Sequence, residues 1–103
     1  MQSKVVTICG SMKFADVMRD IAYDLEVKKG YCVIQCVYKP DNYCENNQSK
    51  EEIENLSNAH WKKIDVSDAI FVINVGGYIG KQTQKEIEYA LSKGKEVIYL
   101  ENK

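Results

Sequence analysis

The sequence predicts an α/β protein: a small flavodoxin- or Rossmann-like three-layer sandwich built on a four-stranded parallel sheet in the order 2-1-3-4. Two observations predict it. Short β-branched runs alternate with stretches of helical period, in the order β-α-β-α-β-α-β, and such alternation gives a parallel sheet with helices on both faces. The chain also lacks internal repeats, low-complexity tracts and any linker, and its 103 residues suit one core, taken as residues 1–103.

Each element has its own signal. Lys4 to Cys9 (KVVTIC) is a buried-strand run that Gly10-Ser11 breaks. From Met12, apolar residues recur at helical steps through Ala15, Met18, Ile21, Ala22 and Leu25, until Lys28-Lys29-Gly30 supplies a basic last turn and a stop. Tyr31 to Val37 reads as the second strand, ended by the turn cluster Pro40-Asp41-Asn42 and a polar loop over 41–49. Ser49 and Glu52 form a capping box that opens a helix with a stripe of Ile53, Leu56, Ala59, His60 and Ile64, ending near Asp65 to Ser67. Ala69 to Val75 is the most apolar run and the expected central strand. A Gly-rich loop follows. Thr83 then opens a helix with Ile87, Ala90 and Leu91 on one face; Gly94 ends it and Glu96 to Leu100 is the last strand.

Composition narrows the function. A net charge of -1 with mixed signs offers no footprint for a nucleic-acid polymer. No apolar run approaches the roughly 20 residues of a membrane span, and the first residues do not form a signal-peptide core, so a cytoplasmic protein without a membrane partner is expected. The four cysteines, Cys9, Cys32, Cys36 and Cys44, match no paired CxxC zinc pattern. They read as reduced thiols packed as small hydrophobes, with neither metal nor cofactor expected.

In an open parallel sheet, ligands bind beyond the carboxyl ends of the strands at the switch point, here between strands one and three. That places Cys9-Gly10-Ser11 beside Asn74 and the loop Gly76-Gly77-Tyr78-Ile79-Gly80. Gly10 and Ser11 either seat an anion at a helix N-terminus or simply turn and cap the chain. Three glycines in five residues favour a binding loop whose amides hold a phosphate or sugar. Thr83-Gln84-Lys85-Glu86 reads as a capping box, yet a carboxylate there could also attack a sugar C1 or stabilise the cation that forms. His60, the only histidine, lies on the apolar side of its helix next to Trp61. Asp65 and Asp68 suit turn roles.

Three stretches resemble the nucleoside 2-deoxyribosyltransferase superfamily, which includes the deoxynucleoside 5′-monophosphate N-glycosidases. They are Ile8-Cys9-Gly10-Ser11-Met12, the segment from His60 to Val75, and Glu86-Ile87-Glu88-Tyr89-Ala90-Leu91-Ser92-Lys93-Gly94-Lys95, the last being similar to the motif that carries the family's nucleophilic Glu. The resemblance implies a flavodoxin-like fold, a homo-oligomer with active sites near subunit contacts, and cleavage of N-glycosidic bonds in a nucleoside or its 5′-monophosphate. It puts Glu86 on the nucleophile, Gly10 and Ser11 on the sugar-phosphate turn, Thr83 and the Gly-rich loop where a phosphate or hydroxyl is held, and His60 near an assisting acid. Lys13 stands where an Arg is usual, Glu88 where Gly is usual, and Gly80 where transferases carry an acid. The last departure favours hydrolysis or plain nucleotide binding over base exchange. A non-catalytic nucleotide-binding module and a small interaction domain are the competing expectations.

Overall fold

The structure is a computed structural model describing residues 4–38 and 49–101. Cys44, the Pro40-Asp41-Asn42 turn and residues 41–48 of the polar loop lie outside the described residues. The elements run β1 (Val5–Gly10), a 3-10 turn at Met12–Phe14, α1 (Ala15–Lys29), β2 (Cys32–Ile34), α2 (Lys50–Asp65), β3 (Ala69–Ile73), a second 3-10 turn at Val75–Gly77, α3 (Lys81–Ser92) and β4 (Glu96–Tyr99). All strand pairs are parallel and the order is β2-β1-β3-β4, as the alternation predicts.

The strands are buried on both sides because alternate side chains feed two cores. Toward α2 and α3, Cys9, Ile70 and Val72 pack with Ile64, Ile87 and Ala90, with Trp61 and Tyr89 against them. Toward α1, Ile8 and Ile73 pack with Met18 and Ala22. The sheet is therefore the middle of three layers.

Several boundaries and faces differ from the sequence expectation. β2 is three residues long, and as an edge strand it leaves Cys32 exposed rather than packed. Leu91 is exposed, as are Ile53 and Leu56 in the first half of α2, where only Ile64 is buried among that helix's residues. Of the stripes expected on α2 and α3, only Ile64 of α2 and Ile87 and Ala90 of α3 reach the core. Ser11 caps the 3-10 turn by accepting from the Lys13 amide, and α1 starts only at Ala15. The Ser49–Glu52 capping box is present with both of its hydrogen bonds.

Polar groups buried between elements fix the strand ends. Thr7 Oγ1 and Ser67 Oγ lie 2.6 Å apart, and Ser67 donates to the Lys63 carbonyl. Asp68 accepts from the Val5 amide and Asp65 accepts from the Tyr89 hydroxyl: both stand at the junction of α2 and β3, but their carboxylates tie in other elements instead of closing the local turn. Asn74, 1% exposed, donates to the Glu101 carbonyl and accepts from the Glu101 amide. Its side chain thus extends the β3–β4 ladder past the last backbone pair. Asn74→Ala removes both bonds from a buried position and should cost about 1–3 kcal/mol. Urea unfolding checks this; a loss near zero would show that the amide is dispensable to the sheet end.

Candidate functional site

An open cavity of about 290 Å³ lies beyond the carboxyl ends of β1 and β2, walled by α2 and the start of α3. Gly10 forms part of its floor; Leu56, Ser57, Ala59, His60 and Lys63 come from α2, Gln82 and Glu86 from α3, and Cys36 and Val37 from the chain after β2. Apolar walls with a few convergent polar groups are the usual make-up of a small-molecule site.

Glu86 reaches this cavity because α3 begins earlier than the sequence suggests. Gly80 is the N-cap and Lys81 the first helical residue, so Thr83 lies inside the helix and is buried. The predicted Thr83–Glu86 capping box does not form. Gly80 in extended conformation already turns the chain, and Glu86 falls in the second turn, too far along to reach a cap amide. Its carboxylate instead lies 3.4 Å (Oε1) from His60 Nε2, and Gln82 Nε2 lies 3.4 Å from Oε2. The side chains of His60 and Glu86 are 14% and 9% exposed, a pair mostly withdrawn from water but open on the cavity side.

Behind the pair lies Cys9, whose Sγ is 3.4 Å from the same His60 Nε2. Burial, reinforced by the Glu86 carboxylate, pushes the Cys9 thiol well up. Burial also pushes Cys36 up to about 11, and its Sγ donates to the Ile8 carbonyl. Neither thiol is a thiolate at neutral pH. Sulfur and carboxylate also share one imidazole nitrogen, whereas a Cys–His–carboxylate relay needs both. Nucleophilic cysteine chemistry does not fit this arrangement.

The Gly-rich loop is placed differently from its expected role. Gly76 and Gly77 adopt positive φ (63° and 82°), a conformation that explains the glycines locally. The Gly76 amide donates to the Glu101 carboxylate, the Gly77 amide to the Asn74 carbonyl and the Tyr78 amide to the Val75 carbonyl. An expected phosphate seat on these amides is therefore filled by the chain's own groups, one of them an anion. Tyr78 packs edge-on to Phe14, and Lys13 Nζ sits 3.4 Å from the centre of the Tyr78 ring, fastening the loop to the turn after β1. Gly80 lies against the same tyrosine. Gly10 is needed because a Cβ there would meet Ile73 Cβ at 3.0 Å.

Of the sequence-derived candidates, Glu86, His60 and Gly10 line the cavity, with Cys9 in contact behind His60. Ser11, Lys13, Asn74, Gly76, Gly77, Tyr78, Gly80 and Thr83 are not in its lining. Lys63, Ser57 and Gln82 also line the cavity although no sequence motif marked them, and so does Cys36, expected only as a packed thiol. Helical spacing marks three of these: Ser57 and Lys63 stand three residues either side of His60, and Gln82 four before Glu86. Comparison with protein families, with curated proteins and with solved structures finds no match to this chain.

The thiols give a direct check on this geometry. At neutral pH, iodoacetamide should label exposed Cys32 well before Cys9 or Cys36, as read by peptide mass spectrometry. A thiol raised to about 11 forms its reactive thiolate only as the pH climbs toward that value, so Cys36 labelling should rise steeply in strong base. Equal labelling of Cys36 and Cys32 at neutral pH would contradict the burial described.

Proposed function

We propose that the chain cleaves the N-glycosidic bond of a nucleoside or nucleoside 5′-monophosphate, with Glu86 as the nucleophile. One observation carries the reading: the Glu86 carboxylate is not spent on a helix cap but stands in a cavity at the sheet's carboxyl edge, within 3.4 Å of the chain's only histidine. The substrate class comes from the resemblance of the Glu86 to Lys95 segment and of the Ile8 to Met12 turn to the nucleoside 2-deoxyribosyltransferase superfamily.

The chemistry runs as a double displacement. A Glu86 oxygen bonds to C1 of the sugar as the C1–N bond breaks, and the bond's electron pair leaves with the base. His60, protonated at Nε2, gives that nitrogen's proton to the departing base. Water then attacks C1, His60 takes a proton from it, and the Glu86 carboxylate is released, leaving free base and the free sugar or, from a nucleotide, the sugar 5′-phosphate. Gln82 holds the second carboxylate oxygen. Lys63, the one lysine in the lining, has one proton on the Gln35 carbonyl and others to offer a sugar hydroxyl or phosphate. The short sheet and exposed apolar residues on α2 suit a homo-oligomer that covers them.

Glu86→Gln keeps the shape and removes the nucleophile. Base release, followed by chromatography over a nucleoside and nucleotide panel, should fall by at least about a thousandfold, while ligand-induced thermal stabilisation persists, about 2.7 kcal/mol at 100 times the dissociation constant. Undiminished base release from the variant would rule the mechanism out. Saturable binding by the wild type with no base release would identify a binding module instead.

A further inference from the structure

Cys9, His60 and Glu86 come from three different elements, β1, α2 and α3, and their Sγ, Nε2 and carboxylate oxygen all lie within 4.8 Å of one another. Sγ and Oε1 each lie 3.4 Å from Nε2. For the carboxylate that is long for a charge-assisted N–H···O bond, which closes to about 2.7–2.9 Å. Both separations match ligand atoms that share one ion through His60. With Zn–S near 2.3 Å and Zn–N and Zn–O near 2.0 Å, a tetrahedron sets its ligand atoms about 3.3–3.6 Å apart.

We propose that Cys9 Sγ, His60 Nε2 and the Glu86 carboxylate form a three-ligand site for Zn²⁺ or a similar borderline divalent cation, and that its occupancy switches the chain off by withdrawing Glu86. The donor set is the mixed sulfur, nitrogen and oxygen type that such ions take. Gln82 holds the other carboxylate oxygen, an outer-shell contact that orients a ligand. The cavity brings an ion to the His60 and Glu86 side of the site, with Cys9 directly behind them, and Cys36 has its thiol turned to the Ile8 carbonyl instead of toward the site. Binding displaces the thiol proton, which passes to solvent, and thiolate and carboxylate together neutralise the dication. Coordination draws electron density out of the carboxylate and pins it toward Cys9 and His60, so it is a poorer nucleophile for a sugar carbon. The inhibitory half of the proposal rests on Glu86 being the nucleophile; the metal site does not.

The test titrates the full chain, stripped with EDTA, with Co²⁺ and then with Zn²⁺. One Co²⁺ per chain should appear with a thiolate-to-cobalt charge-transfer band and the strong visible bands of a tetrahedral ion, and Zn²⁺ should bleach both. Cys9→Ser should abolish the charge-transfer band. Because Cys9 is in the core, His60→Ala provides a second variant, with its fold checked by circular dichroism and an affinity loss of more than about tenfold expected. The absence of a thiolate band, or a band that survives both substitutions, overturns the site. In parallel, base release should stop with one equivalent of Zn²⁺ and return with EDTA. Release that continues with the tetrahedral site filled overturns the inhibition. A filled site on a chain that never releases base leaves the metal site standing and removes the glycosidase reading.

Discussion

The parallel pairing of β1 with β3 is the constraint on which the rest of the molecule depends. It runs over five residue pairs, from Val6 opposite Ala69 to Gly10 opposite Ile73. Because the pair is buried on both faces, each strand must send alternate side chains into opposite cores: Ile8 toward α1, Cys9 toward α2 and α3. A one-residue slip would exchange those faces. It would take Cys9 away from His60 and bring a side chain other than Gly10 against Ile73. The same register that packs the core therefore assembles the floor of the cavity.

Much of the fold was legible in the sequence because its signals are local. Alternating runs gave the element order, β-branched residues marked β1 and β3, and Ser49 with Glu52 announced α2. The faces of the helices were less legible. Ile53, Leu56 and Leu91 sit at core spacing, yet they are exposed, since burial depends on how far the sheet extends beneath them. Periodicity states which residues share a side of a helix and is silent about what that side meets.

The site was half legible. Glu86 and His60 were both marked by type and position, but their proximity spans 26 residues of chain and depends on where α3 begins. Thr83 with Glu86 satisfies the capping-box pattern, and Gly80 won because an extended glycine ahead of Lys81 starts the helix three residues sooner. The Gly-rich loop misled for a related reason. Its glycines serve two consecutive positive-φ positions, and its amides are answered by Asn74, Val75 and Glu101. Glu101 lies 25 residues from Gly76, beyond the reach of any local pattern. The Cys9 contact was hidden in the same way: a strand cysteine and a helix histidine 51 positions apart meet only once the sheet is formed.

The proposed mechanism requires the Glu86 carboxylate, free of a helix cap, to bond to the sugar carbon. Acid-quenching the chain during turnover of a slow, 2-fluorinated nucleoside and mapping the peptides by mass spectrometry reads that bond directly. A sugar adduct is expected on the peptide containing Glu86, localised to that residue and absent from Glu86→Gln. Base released with no adduct on Glu86, or an adduct on another residue, would contradict it.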